Sequence, residues 1–384
     1  MSRSTKDWRE SPGKIAASAR KIAASPNEIA ASPEAIAAVD ALFAGVGLEH
    51  GRRATRAGSW QNGERVPIRR TSTIPPRTST KRPRRTPGLI RPAGWEAYPW
   101  LRAGFSTREG GATTAFGYPS DLNLGWNVND PAETVAANRK HFLEAVAAPR
   151  SGSKPGELVA IRQFHSPLIR IVGANTAPLA TPEGRPILRG DALITSRPDI
   201  LLAILTADCV PVLVADTRRR VVAAFHAGWR GTLARIVERG IGTLRFQFGS
   251  RPKDLIAAIG PGIGACCYSV GEEVRFDFES QFAYAPSLFS EVYDSDPVKD
   301  KYPLLFLTAR APGHSNIGPQ IHLDLIEANR RQLLDAGLSA STISIVGECT
   351  ACTCLPNGQR RYFSHRDEHG YTGRMLSVIG IAEK

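Results

Sequence analysis

A mixed α/β fold is what this sequence predicts. Three observations carry that prediction: short apolar runs, Gly and Pro punctuation between them, and several stretches with apolar residues at helical spacing, all beginning near Trp95. Residues 131–147 read as a helix opened by Pro131 and Glu133. Residues 158–161, 169–172 and 192–195 read as strands. Residues 201–205, 210–215 and 221–225 are three further apolar runs. Residues 232–248 carry Leu233, Ile236, Val237, Ile241, Leu244 and Phe248 on one helical face. A last helix spans 324–336, with Asp324 as N-cap and Gly337 as the stop.

The 384 residues give room for one large domain or two ordinary ones, and 42% hydrophobic residues supply a core. A formal charge of +13 points first to nucleic acid or a membrane surface. Position argues otherwise. Residues 1–91 hold 18 Lys+Arg against 7 Asp+Glu, leaving 31 against 29 in the remainder. The charge therefore belongs to an N-terminal extension. That extension opens on a degenerate repeat, Lys-Ile-Ala-Ala-Ser from Lys14 and again from Lys21, interrupted by Pro26 and Pro33. From Arg52 to Arg91 it is rich in Arg, Thr, Pro and Ser, a composition that does not offset the entropy of ordering. Residues 1–91 thus read as a disordered basic extension, dispensable rather than a nucleic-acid-binding arm, and residues 92–384 as the globular domain. No run of 18 apolar residues exists, so no transmembrane helix is expected, and the N-terminus lacks a signal-peptide core. The expected compartment is the cytoplasm. Six cysteines in a chain this long do not read as a secreted disulfide framework.

Apolar runs flank the polar stretch Thr217, Arg218, Arg219 and Arg220, which predicts a β-hairpin. With the turn centred between Thr217 and Arg218, Cys209 and His226 lie directly opposite, close enough to share one ion. His165, in Gln163-Phe164-His165 at the end of the first strand run, is the natural third ligand. One Cys and two His with an open fourth position is a catalytic rather than a structural zinc pattern. Spacing alone leaves two other readings open: a buried Cys beside a satisfied core His, and a Cys/His nucleophile pair. Gly228-Trp229-Arg230-Gly231 leads into the helix expected from Thr232, and backbone N–H groups there would form an anion site with Arg230. Cys349, Cys352 and Cys354 have metal or redox spacing but are read as buried thiols.

These segments resemble the laccase-domain (polyphenol-oxidase-like) family of purine nucleoside phosphorylases. Thr206-Ala207-Asp208-Cys209 and His226-Ala227-Gly228-Trp229-Arg230-Gly231 resemble its signature segments. In the family's order, so do Gly104-Phe105-Ser106-Thr107-Arg108-Glu109-Gly110-Gly111, Leu122-Asn123-Leu124-Gly125, Gln163 with His165, and Asp191-Ala192. Ile259-Gly260-Pro261-Gly262-Ile263-Gly264, Cys349-Thr350 and Thr372-Gly373-Arg374-Met375 complete a likeness over roughly residues 95–381. The resemblance implies a four-layer α/β/β/α sandwich with mixed β-sheets, and zinc (copper ranks lower) held by His165, Cys209 and His226. It implies phosphorolysis of adenosine, inosine, guanosine and methylthioadenosine, with adenosine deamination as a side activity. Older family names refer to copper-dependent polyphenol oxidation, and a bacterial branch is linked to editing peptidoglycan precursors. Tyr268-Ser269-Val270 stands where the family usually has Tyr-Glu-Val, which leaves substrate preference open.

On this reading residues 92–384 are a catalytic domain for nucleosides and phosphate, with no membrane partner. Cys209, Asp208 and Arg108 are the expected catalytic residues. Arg108, Asn123 and Arg230 are assigned to phosphate or substrate, Arg108 because a guanidinium grips an oxyanion with two bonds. Asp191 and Gln163 are expected to support the ligands, and Asp208 either to carry a proton or to support the ligands as well. The alternative is a thiol hydrolase or amidase acting on peptidoglycan precursors through Cys209 and His226. Copper oxidation of phenols ranks below both, since eight histidines cannot assemble a multicopper cluster.

Overall fold

The central strands are near-continuous apolar runs, and because successive side chains point to opposite faces, each of the two large sheets has two apolar faces. The structure, a computed structural model, describes residues 86–147, 156–173, 179–181, 185–198, 200–292 and 320–382. The expectations for residues 1–85 lie outside them. The strands and helices, in chain order, are β1 (Leu89–Ile90), β2 (Leu101–Ser106), β3 (Glu109–Thr113), α1 (Ala132–Ala147), β4 (Glu157–Ala160), β5 (Ile169–Ile171), β6 (Ala192–Thr195), β7 (Ile200–Thr206), β8 (Val210–Asp216), β9 (Val221–Ala227), α2 (Trp229–Leu233), α3 (Ile236–Phe248), β10 (Leu255–Ile259), β11 (Ser269–Val270), α4 (Glu272–Gln281), β12 (Phe289–Val292), β13 (Gln320–Leu323), α5 (Leu325–Asp335), β14 (Ile343–Ile345) and β15 (Met375–Ile381). Ordered pairing starts earlier than expected. Leu89 and Ile90 pair with Ser106 and Phe105, so the boundary at residue 91 is too late. Those two side chains are apolar and half-buried, unlike the Arg/Thr/Pro stretch before them.

Five strands form one mixed sheet in the order β1-β2-β15-β7-β4, and six form a second, β14-β10-β8-β9-β6-β5. A small antiparallel sheet, β11-β13-β12, stands apart. Phe105, Leu202, Ile204 and Ile379 of the first sheet share one apolar cluster with Leu193, Leu213, Val222 and Ala224 of the second. On its other face the six-stranded sheet packs Val212, Val214, Ala223 and Phe225 against Ile241 and Leu244 of α3 and Ala328 and Leu333 of α5. The far face of the five-stranded sheet sets Ala203, Leu376 and Val378 against Phe142 and Val146 of α1. α1, α3 and α5 thus bury their apolar stripes on a sheet face, as the sequence periodicity anticipates.

Two local expectations are corrected. The β8–β9 hairpin pairs Val210 with Ala227 and Pro211 with His226, so Cys209 falls opposite Gly228 rather than His226. The cause is Asp216, whose Oδ1 accepts from the N–H groups of both Arg218 and Arg219. With Asp216 paired to Val221, all four residues 217–220 become turn. The expected helix 232–248 is also broken. It begins earlier, at Trp229, and stops after one turn because Arg235 adopts a left-handed conformation (φ 58) and anchors on the Gln281 carbonyl at 2.7 Å. Asp324 caps α5 as expected, accepting from Glu327 N.

Candidate functional site

The site lies where β7 leaves one sheet and the chain crosses to β8 in the other. Thr206 ends β7, Val210 opens β8, and residues 207–209 span the gap. Asp208 sits in that crossing with φ 92, strained for a side chain that is not glycine. Three bonds hold it there. Oδ1 accepts from Thr350 Oγ1 at 2.7 Å, Oδ2 from Arg366 N at 2.7 Å, and its carbonyl from Ile263 N at 2.7 Å. The strain fixes where the next side chain, Cys209, emerges.

Asp191, at the start of β6, organises the two histidines. Its buried carboxylate accepts from the backbone N–H groups of Phe164, His165 and Ser166 at 3.3, 3.0 and 2.7 Å, and from Ser166 Oγ at 2.7 Å. This holds His165 in the left-handed conformation (φ 63). Oδ1 also lies 2.8 Å from His226 Nδ1, which leaves the other ring nitrogen of His226 for the thiol side. Gln163 braces the same segment: its amide exchanges two hydrogen bonds with the Leu205 backbone, at 2.7 and 2.9 Å. Gly228 has to be glycine here, because a Cβ would come within 2.8 Å of Cys209 Sγ and 3.1 Å of the His165 ring.

The result is a compact donor set. One ligating atom from each of His165, Cys209 and His226 lies within 4.8 Å of the others, and Cys209 Sγ is 3.7 Å from His165 Nε2. A tetrahedral zinc ion with ordinary bond lengths sets sulfur and nitrogen about 3.5 Å apart. Two imidazoles and a thiol at this spacing, one imidazole oriented by a carboxylate, fit a catalytic divalent ion.

Without an ion, Cys209, His226 and Asp191 set one another's charge. Burial pushes the Cys209 thiol up, but the charge of His226 and hydrogen bonding to His165 and His226 outweigh it, holding the thiol at about 6. Burial opposes a charged His226, yet the Cys209 thiolate and the Asp191 carboxylate raise it to about 9. Burial likewise opposes an ionised Asp191, and its bonds to His226 and Ser166 bring it down to about 2. At neutral pH the metal-free site is therefore a thiolate–imidazolium pair backed by a carboxylate. Thiolate, not thiol, is what alkylates. In metal-depleted protein, modification of the Cys209 peptide by iodoacetamide should rise with pH around a midpoint near 6. A midpoint in the ordinary range, about 8.5, would contradict this pairing.

A cleft of about 560 Å³ opens beside the triad, lined by His165, Cys209, His226, Asp208, Gln163 and Arg230 among others. It also takes in residues that sequence reasoning did not single out for this role: Arg162, Trp126, Tyr268, His365, Arg366 and Arg374. Arg374 was visible in the Thr-Gly-Arg-Met segment, but nothing in its spacing aims it here. Arg374 N donates to Asn123 Oδ1 at 2.9 Å, so Asn123, fully buried and also bound to Asp130, shapes the rim from behind rather than facing the cleft.

Arg108 is not among the lining residues. Its side chain is 2% exposed, pairs with Asp121 through Nε at 2.8 Å and Nη2 at 2.9 Å, and reaches Glu368 at 2.7 Å. Its third direction is taken by the Phe116 carbonyl, and its faces by the rings of Tyr118 and Phe363, each 4.6 Å away. Four of its five N–H groups are thus committed inside the protein, and the side chain does not face the cleft. The helix expected to open near Thr232 beside Arg230 instead starts at Trp229 and has five residues, with Arg230 lining the cleft. The three thiols read as buried prove mixed: Cys349 is buried, Cys352 and Cys354 are exposed. All three lie on a loop outside the strands of both large sheets.

The family model described as multi-copper polyphenol oxidoreductase laccase matches residues 102–382. The purine nucleoside phosphorylase YlmD of Geobacillus stearothermophilus is 33% identical over 298 residues, 75% of this chain and 97% of its own length. A purine nucleoside phosphorylase of Deinococcus radiodurans is 33% identical over 280 residues, 73% of this chain and 89% of its own. The crystal structure of the hypothetical protein YfiH of Bacillus licheniformis superposes with a TM-score of 0.62 at 29% identity, covering 77% of this chain and 96% of that one.

Proposed function

The chain belongs to the laccase-domain family of purine nucleoside phosphorylases, and from that premise we propose that it is a zinc-dependent enzyme splitting purine nucleosides with phosphate at the His165–Cys209–His226 centre. The observation that carries the reading is the meeting of that donor set with Arg162, Arg230, Arg366 and Arg374 around one cleft. A volume of about 560 Å³ suits a nucleoside. The succession of α1, five-stranded sheet, six-stranded sheet, then α3 and α5 is read as the family's four-layer sandwich, with residues 92–384, joined by β1, as the catalytic domain.

Zinc, when bound, supplies a Lewis acid that polarises a substrate atom. The chain's own residues do the rest. Arginines around the cleft bind phosphate and take over the part expected of Arg108. A phosphate oxygen forms a bond to C1′ of the ribose while the glycosidic C–N bond breaks, and the base leaves with that electron pair and takes up a proton. Asp208, fixed by Thr350 and the Arg366 amide, is the proposed proton carrier. Asp191 sets the ring of His226 and the loop of His165. Asp191→Asn should therefore weaken zinc binding about 10- to 100-fold, measured by competition with a chromophoric chelator. Unchanged affinity would remove Asp191 from this role.

Adenosine, inosine, guanosine and methylthioadenosine are the proposed substrates, with adenosine deamination as a side reaction read out as inosine formed without phosphate. Copper oxidation of phenols is not supported by a three-donor centre. One observation favours a second reading: Cys209, His226 and Asp191 form a thiol–imidazole–carboxylate series, the equipment of a thiol hydrolase. Such an enzyme, acting on peptidoglycan precursors, would survive a chelator. The test of the first reading is base release from inosine and adenosine with and without phosphate. Release that requires phosphate and stops with chelator is expected. Absence of release from the zinc-loaded chain would transfer the assignment to the thiol reading.

A further inference from the structure

Four of the six cysteines converge away from the triad. Cys266 and Cys267 lie in a tight turn, where the N–H groups of Cys267 and Tyr268 both bond the Gly264 carbonyl at 3.0 Å. Cys349 and Cys352 lie on a Cys-x-x-Cys loop that meets this turn through a parallel bridge between Gly262 and Cys349 and a bond from Thr350 N to Gly262 O. The four Sγ atoms all lie within 4.8 Å of one another, and those of Cys266 and Cys352 are 3.6 Å apart. We propose that Cys266, Cys267, Cys349 and Cys352 bind a second zinc ion, a closed structural site distinct from the triad.

Three features of the geometry support it. A tetrahedral zinc with four thiolates sets neighbouring sulfurs about 3.8 Å apart, close to what is seen. A disulfide joins only two sulfurs, about 2.05 Å apart, and gives no reason for four to gather. Backbone donors are already aimed at sulfur: Gly264 N lies 3.2 Å from Cys349 Sγ, and the N–H groups of Ala351 and Cys352 also face it. Such donors stabilise a metal-bound thiolate. The local apolar cluster is small, with Ile263, Cys349 and Ala351 as its buried members, so apolar packing alone does little to hold these loops together.

The clamp has a purpose visible in its neighbours. Thr350, next to Cys349, donates to Asp208, and Tyr268, next to Cys267, lines the cleft. The ion would hold the loops that place Asp208 without itself touching substrate. With all four positions filled by sulfur it has no open site for chemistry.

The test is the zinc content per chain of the full-length protein, purified with zinc and freed of excess metal. Two ions are expected in the wild type, one in His226→Ala and one in Cys266→Ser/Cys352→Ser. Cobalt-loaded His226→Ala should keep an intense thiolate-to-cobalt charge-transfer band, which decides the matter even if the double variant does not fold. A single ion in the wild type, lost in His226→Ala, would overturn the proposal. So would a Cys266–Cys352 disulfide found by mass spectrometry in place of the second ion. Failure of the phosphorylase assay would leave these counts untouched.

Discussion

Cys209→Ala should lower phosphate-dependent hypoxanthine release from inosine by on the order of a thousandfold, the several kcal/mol that a catalytic metal contributes. The substitution removes the one sulfur from a three-donor set and leaves two imidazoles. It also removes the thiolate that helps hold His226 charged in the metal-free chain. Little of the fold depends on this side chain. Cys209 lies at the cleft, half-buried, and the backbone around it is fixed by Asp208 through Thr350 and Arg366. Thermal unfolding should therefore change little while turnover collapses. Turnover kept at wild-type level with zinc bound would sink the assignment of the centre. Loss of zinc and activity together, at unchanged stability, is the expected pattern.

Arg108→Ala should do the opposite, lowering stability by about 3–5 kcal/mol, the usual cost of leaving a buried charge without its partner. The stranded group is Asp121, 3% exposed, whose burial already pushes its carboxyl up despite the bonds from Arg108. Glu368 loses its partner as well, although it keeps Ser364 N and Thr372 Oγ1. Arg108→Lys should rescue only part, because an ammonium cannot span both oxygens of Asp121 and also reach Glu368. Urea unfolding measures the loss. Steady-state kinetics on the folded fraction gives the second arm: the KM for phosphate should stay near the wild-type value. A raised phosphate KM at unchanged stability would return Arg108 to the substrate.

The difference between these two residues shows what the sequence made legible. The triad could be named from its motifs because strand-to-strand neighbours and metal-ligand chemistry leave local marks. Even the error in the hairpin register was forgiving. Asp216 drew Arg218 and Arg219 into the turn and moved the pairing by two positions, and a strand repeats its face every two residues. His226 therefore still shares a face with Cys209, diagonally instead of directly. Arg108 was legible as a motif residue but not in its partners. Glu368 lies 260 positions away, and no periodicity reports a contact of that separation. The same holds for the cysteines: Gly264 and Cys349 are 85 positions apart and meet only through loop packing. The break at Arg235 escaped because the apolar spacing of 232–248 continues across it, while the cause, a bond to Gln281, is tertiary.

The most direct test of the account is the fate of the ribose. Zinc-loaded full-length protein, inosine and inorganic phosphate should be followed by phosphorus-31 NMR. Ribose 1-phosphate appearing in step with hypoxanthine, and neither appearing with Cys209→Ala, is the predicted result. Free ribose, or no release of base at all, would contradict it.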